Sequence, residues 1–408
     1  MKFLHTSDWH LGKLFHEKSL LEDQAFVLDQ IFEIMKAAAA KGEPYAALVV
    51  SGDIYDRAMP PSEAVTLLNS FLVRLSAELP GTHIFMNAGN HDSAARLAYA
   101  AEILELHNIH IATNTKKITE PVILEDAASG DKGARTAFYQ LPFLTPLSVE
   151  SADGEPCRSQ QQLYEAACAR IMTKHRETYG SMPCVLNAHL FASGSSVAAS
   201  ERTNVGTAEQ VDVSVFKEFT YGAFGHIHKY QPCDKEKRCY YPGSLLAYNF
   251  DDNPENGMLE VEITAGTGAV SVTRIPLRPL HSIAKVTAEM QELIGAQADK
   301  ALIKAHQDDY VQVILTDRVM PTEAFATLKP VFPHLLSVLS QQLSHGQANA
   351  SIQERRDAII SNDPEKIFNQ FMKDVYGERS DAELQADDLF QEQKKLFVEE
   401  AGRAEVNA

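Results

Sequence analysis

Five short polar motifs, each placed directly after an apolar run, constrain this chain more than any other feature. The runs are KFLHTS, AALVVSG, HIFMNAG, CVLNAHL and YGAFGHI, and they read as buried strands. The motifs that follow are Asp8-Trp9-His10, Gly52-Asp53, Gly89-Asn90-His91-Asp92, Ala188-His189 and Gly225-His226-Ile227-His228. In a parallel α/β sheet the strand ends on one edge form the crevice where ligands bind. A chain with five such endings is therefore expected to fold as layered sheets that bring them to one edge.

Helical periods between the strands agree with an α/β layered domain. Residues 24–40 carry Phe26, Val27, Ile31, Ile34 and Met35 at helical spacing, and 62–79 form a second helix opened by Pro60-Pro61 and Ser62. Beyond Tyr221 the texture turns to strands over 238–248 and 258–276, with the turn sequence DDNPENG between them. The first domain is set at 1–278. A small α+β domain follows at 279–343, read as helix over 283–298, strand over 310–316 and helix over 321–328. Residues 344–351 read as a linker. A helical tail spans 352–408, with Asp363 as a cap, Pro364 at the first helical position, and an apolar stripe of Ile367, Phe368, Phe371, Met372, Val375 and Tyr376. A second tail helix opens on the Ser380/Glu383 capping pattern.

The chemistry lies in the motifs. Residues i and i+2 of an extended segment share a face, which aims Asp8 with His10 and His226 with His228. Asp8, His10, Asp53, Asn90, His189, His226 and His228 give seven candidate ligands. Mixed carboxylate, imidazole and amide donors suit Mn²⁺, Fe²⁺ or Zn²⁺ rather than Ca²⁺. Seven is too many for one catalytic ion with open positions, and suits two ions bridged by one carboxylate, for which Asp53 is the candidate. His91, beside a ligand, is the candidate proton donor, with Asp92 accepting its other ring N–H. Each motif taken alone also has a structural reading: GNHD as a turn, GHIH as a turn with one satisfied histidine. The order and placement of all five favour one shared site.

The set D-x-H, G-D-x-x-D, G-N-H-D, a later His after an apolar run, and G-H-x-H resembles the calcineurin-like metallophosphoesterases over about residues 1–275. The stretches FLHTSDWHLG, SGDIYD, AGNHDS and FGHIHKYQ are similar, within that family, to the bacterial relatives of the double-strand-break repair nucleases. The resemblance implies a sandwich of mixed sheets flanked by helices, a capping domain and a partner-binding tail. It implies one ion on Asp8, His10, Asp53 and His228, a second on Asp53, Asn90, His189 and His226, and Mn²⁺ as the metal. It implies His91 as the transition-state histidine, with hydroxide held by the metals attacking the phosphodiester. The implied activity is exonuclease and endonuclease cleavage of DNA ends and hairpins. The implied partners are DNA, a coiled-coil ATPase bound through the tail, and a second copy of the chain. Relatives carry a further active-site His where this chain has Asp56, so no role is carried over to that position.

Charge complicates the nuclease reading. The balance is 37 − 55 = −18, whereas a freestanding nucleic-acid binder shows a basic footprint. Lys13, Lys18, Arg57, Arg96, Lys229, Lys235, Lys237 and Arg238 lie near the motifs and are either a DNA path or ordinary surface charge. The segment 192–204 is either a substrate loop or a connection. A small-molecule phosphodiesterase or a phosphatase on the same scaffold, and a subunit that tethers DNA without cutting, are the other classes. The five cysteines match no zinc ribbon. No signal peptide or apolar span is visible, so the expected location is cytoplasmic.

Overall fold

The computed structural model describes residues 1–126, 134–146, 148–150, 154–155, 157–196, 210–252, 256–318 and 320–341, with 368, 394 and 395. The linker at 344–351, most of the segment 192–204, and nearly all of the tail stripe at 367–376 lie outside the described residues. The chain divides into Met1–Ser282 and Ile283–Ala408.

The first unit is built on two six-stranded sheets. In chain order its strands are β1 Lys2–Thr6, a short hairpin of β2 Leu14–Phe15 and β3 Lys18–Ser19, β4 Ala47–Val50, β5 His83–Asn87, β6 Ile109–Ala112, β7 Val122–Glu125, β8 Arg135–Leu141, β9 Cys184–His189, β10 Tyr221–Gly225, β11 Gln231–Pro232, β12 Cys239–Tyr241, β13 Gly257–Ile263 and β14 Val270–Pro276. One sheet has the order β14-β13-β1-β4-β5-β6, the other β11-β12-β10-β9-β8-β7. The strands β1, β4, β5 and β6 run parallel, as do β8, β9, β10 and β12. All five motif-bearing strands therefore sit side by side in the parallel centres of the sheets, with their C-terminal ends toward one edge.

Alternation along the strands gives each sheet two buried faces. Phe3, Val49 and Phe85 of the first sheet meet Phe138, Val185 and Tyr221 of the second in one core. Phe85 stacks on Phe138 at 4.9 Å and Phe3 meets it edge-on at 5.3 Å. The alternate residues Leu4, Leu48 and Ile84 are equally buried. On that side lie the buried stripes of α1, Leu21–Ala40, and α2, Ser62–Glu78. The short helices α3, Ala94–Leu97, and α4, Ala101–Glu105, follow β5. The outer face of the second sheet is covered by α5, Gln160–Tyr179, whose Leu163, Ala167 and Ile171 pack with Tyr139, Leu186 and Phe224. A capping box of Ser159 and Gln162 starts α5.

Some elements differ from the sequence expectation. In α1 the buried face is Val27, Leu28, Ile31, Phe32 and Met35, while Phe26 is exposed. Within 238–248 only Cys239–Tyr241 is a strand, because 242–250 turn back toward the motif edge. The segment expected as helix over 283–298 begins as a strand, Ile283–Ala288. It is β15 of the three-stranded parallel sheet of the second unit, with β16, Tyr310–Leu315, and β17, Leu335–Ser340. Val286, Val313, Leu315 and Leu335 form its core with Leu328 and Phe332. The alternation of Ile283, Lys285 and Thr287 with Val286 and Ala288 is a strand pattern, and it prevails over the helical period of the wider window. Among the described residues no helix is long and apolar enough to cross a membrane.

Candidate metal centre

The loops after β1 and β4 are zipped together before any side chain is considered. Asp8 N–H donates to Gly52 O at 3.1 Å, His10 N–H to Asp53 O at 3.0 Å, and Leu11 N–H to Ile54 O at 2.9 Å. Trp9 is fully buried between them, edge-on to Phe71 of α2, with its indole N–H on Thr6 Oγ1 at 3.1 Å. Asp8, His10, Asp53 and His226 all have positive φ, +52, +44, +48 and +105°. Such backbone costs on the order of 1–3 kcal/mol per non-glycine residue and concentrates at functional sites. The extended i, i+2 geometry expected for Asp8/His10 and His226/His228 is therefore not what aims them. Left-handed turns beyond the strand ends do so.

All seven candidate ligands come together. His10 Nε2 lies 3.1 Å from His228 Nε2, and His228 Nε2 lies 3.9 Å from Asp8 Oδ1. On the other side Asn90 Oδ1 is 2.9 Å from His189 Nε2 and 3.0 Å from His226 Nδ1. Asp53 Oδ2 stands between the groups, 3.6 Å from His10 Nε2 and 3.4 Å from His189 Nε2. Donor atoms about 2.0–2.2 Å from a common cation stand about 3–3.5 Å apart, so this donor set fits divalent ions. Asp8, His10, Asp53 and His189 are buried, while Asn90 is exposed and marks the open side.

Hydrogen bonds from outside the set fix the rings. The Ser51 carbonyl can only accept, so His189 donates Nδ1–H to it at 2.7 Å and turns Nε2 inward. Asp53 Oδ1 accepts the His91 backbone N–H at 2.9 Å, leaving Oδ2 for the centre. Ser7 Oγ donates to Asp8 Oδ2 at 2.5 Å. Close packing around Asp53 requires Gly89, where any Cβ would overlap the Asp53 carboxylate and backbone nitrogen.

Electrostatics follow from crowding charges in a dry place. Burial lifts the Asp8 carboxyl above its usual range. Burial also opposes ionisation of Asp53, but His189 and His10 hold its carboxyl well below the usual range. His189 is raised to about 9: burial works against its charge, and Asp53 and then Asp8 overcome it. Burial, with His189 beside it, lowers His226 to about 3. Burial and then His10 keep His228 well below the usual imidazole range. His226 and His228 are thus favoured as neutral imidazoles with available lone pairs, whereas His189 is favoured as the cation beside the buried carboxylates.

His91 is placed next to the set, its ring edge-on to His10 at 4.8 Å. Its partner is not Asp92, as expected. His91 donates Nδ1–H to the Asp56 carbonyl at 2.9 Å. Asp92 instead accepts the backbone N–H groups of Ile54, Tyr55 and Gly89 at 3.1, 2.9 and 2.9 Å, so it braces the two loops against each other. Burial and then Asp53 raise Asp92 to about 6.

Sequence reasoning missed what surrounds the motifs. Asp56 Oδ1 takes the Lys13 ammonium at 2.7 Å and lies 3.5 Å from His10 Nδ1. Burial opposes its charge, yet His10 and Lys13 hold the Asp56 carboxyl well below its usual range. The spacing of Lys13 and Asp56, three residues beyond His10 and Asp53, was the available signal. Arg57 lies 3.9 Å from Asp56 Oδ2, whereas Arg238 pairs with Glu236. Among the described residues the cysteines are free, and none contributes to the centre.

Comparison with known proteins bears on the chain as a whole. The profile of the calcineurin-like phosphoesterases matches residues 1–143. That match includes Asp8, His10, Asp53, Asn90 and His91; His189, His226 and His228 lie beyond it. The profile described as the type 5 capsule protein repressor C-terminal domain matches residues 274–376. The SbcD chain of the nuclease SbcCD from Staphylococcus saprophyticus subsp. saprophyticus is 30% identical over 382 residues, covering 93% of this chain and 94% of that protein.

Proposed function

The chain belongs to the SbcD-type nucleases of the calcineurin-like metallophosphoesterases, metal-dependent hydrolases of phosphodiesters, and from that premise we propose that it is the DNA-cutting subunit of an SbcCD-type complex. The observation that carries the reading is Asp53 Oδ2, suspended between His10 and His189. Asp8, His10, Asp53 and His228 hold one divalent ion; Asp53, Asn90, His189 and His226 hold the other. Mn²⁺ is the ion we assign, one of those that the mixed carboxylate and imidazole donors suit. Two ions so placed supply Lewis acidity to the phosphate oxygens and lower the pKa of water.

The protein's own groups do the rest. Asn90, on the open side, orients the incoming phosphodiester. His91, tied by Nδ1–H to the Asp56 carbonyl, turns Nε2 to the substrate and, as the doubly protonated ring, gives the Nε2 proton to the leaving oxygen and is left as the neutral Nδ1–H imidazole. Lys13 and Arg57 flank Asp56, whose carbonyl holds His91, and favour a polyanion there. The rest of the acidic surface leaves DNA affinity to be supplied largely by an SbcC-type coiled-coil ATPase, bound through the helical tail at 352–408. A homodimer is supported by the exposed apolar residues Tyr99, Ile103 and Leu106 on and beside α4. Five unpaired cysteines suit a reducing cytoplasm.

The test is cleavage of labelled linear and hairpin DNA by the purified chain with Mn²⁺, beside Asp53→Asn and an aryl phosphodiester. The reading requires DNA cut by the native chain and not by Asp53→Asn. Hydrolysis of the small ester alone would assign a different substrate class. Failure on both, even with the ATPase present, would leave a tethering role.

A further inference from the structure

The backbone that carries Asp8 and His10 is held by a residue outside every motif. Gln24, in the first turn of α1, is fully buried. Its Nε2 donates to the carbonyls of Trp9 at 3.2 Å and His10 at 2.7 Å, and its Oε1 accepts the Gly12 N–H at 3.0 Å. A carboxamide is the side chain with two donors and an acceptor in one plane, and all three functions are used. Tyr248 seconds it. Its hydroxyl donates to the same Trp9 carbonyl at 2.7 Å, and its ring stands edge-on to His10 at 5.5 Å and to His228 at 5.6 Å. These bonds fall on the segment whose φ angles are left-handed, the one least able to hold its shape unaided.

We infer that Gln24 is a positioning residue for the Asp8–His10–His228 half of the centre, setting its affinity for metal by fixing the His10 backbone. The inference rests on the ligand assignment above. Gln24 bonds no atom of Asn90, His189 or His226, so its influence falls on one ion and spares the other. Groups that orient ligands from behind typically change metal affinity ~10–100-fold when removed.

The experiment is a Mn²⁺ titration of the full chain, by calorimetry and by electron paramagnetic resonance, with unfolding of the metal-free proteins recorded alongside. Native protein binds two ions. Gln24→Met keeps one at native affinity and weakens the other about tenfold or more. Gln24→Glu, which turns an oxygen onto two carbonyls, is weaker still. Tyr248→Phe keeps the ring, loses one donor, and shows a smaller loss at the same ion. Should Gln24→Met fail to fold, Gln24→Asn carries the same test with its amide drawn back by one methylene. Two ions at native affinity in the Gln24 variants overturns the inference. So does an equal loss at both ions, which is what general loosening of the fold produces. Asp8→Asn separates the two levels: if it also binds two ions normally, the ligand assignment fails, and not the role of Gln24 alone.

Discussion

Gly225, the first residue of the Gly-His-Ile-His motif, gives the sharpest test of how the two sheets make one site. It ends β10 against the loop after β4, so close that a Cβ would overlap the Ser51 carbonyl oxygen and stand 2.9 Å from His189 Nδ1. In Gly225→Ala that carbonyl must retreat by roughly 1.5 Å to regain ordinary contact. It is the acceptor that fixes the His189 ring at 2.7 Å. Overpacking costs about 1–3 kcal/mol, and a buried hydrogen bond left unmade about as much again. The sum of about 2–6 kcal/mol lowers the melting temperature by roughly 3–10 °C in a domain of this size. A displacement near 1 Å at the centre reduces turnover about a hundredfold. The assay is Mn²⁺-dependent hydrolysis of an aryl phosphodiester, with thermal unfolding in parallel. Gly81→Ala is the control, since nothing lies within 4 Å of its Cβ position. Native rate and melting in Gly225→Ala, indistinguishable from Gly81→Ala, would refute the sheet-to-sheet argument.

Three further outcomes are expected. His91→Ala reduces turnover by about 10²–10⁴-fold while the Mn²⁺ isotherm stays native, because His91 is outside the ligand set; a changed isotherm would make it a ligand. His189 is raised to about 9 in the metal-free protein, so its contribution to stability is complete below its ordinary value near 6.5 and is lost as pH rises through about 9; Mn²⁺ takes the place of that proton, and calorimetry in buffers of different ionisation enthalpy near pH 7.5 should detect about one proton released per chain. Lys13→Met strands the mostly buried Asp56 carboxylate beside His10 and destabilises the protein by about 1–3 kcal/mol in denaturant unfolding, whereas Lys13→Arg restores most of it.

The strand ends are legible because each motif follows an apolar run, and a parallel sheet carries such ends to one edge. The seven residues from Asp8 to His228 can be gathered on that ground alone. Their aim is not legible. The left-handed turns at Asp8 and His10 depend on tertiary hydrogen bonds from Gln24 and Tyr248, which stand 12 or more residues from the atoms they hold, and at His226 the backbone N–H is held by the distant Asp8 carboxylate. Asp92 illustrates the same limit: next to His91 in sequence, it serves three backbone N–H groups instead. Among the elements, α5 is faint in the sequence because its core-facing side mixes Ala167 and Cys168 with Leu163 and Ile171, a weak contrast to its polar side. Ile283–Ala288 reads as helix because a short alternating segment followed by a helical turn at Met290–Leu293 blends two periods in one window.

Everything proposed for this site depends on Asp53 bridging two cations. The most direct measurement is a crystal structure of the Mn²⁺-soaked chain with anomalous scattering recorded at the manganese edge. Two peaks are expected, one on each side of Asp53 Oδ2, the first bounded by Asp8, His10 and His228 and the second by Asn90, His189 and His226. A single peak, or a pair that leaves Asp53 unshared, would contradict it.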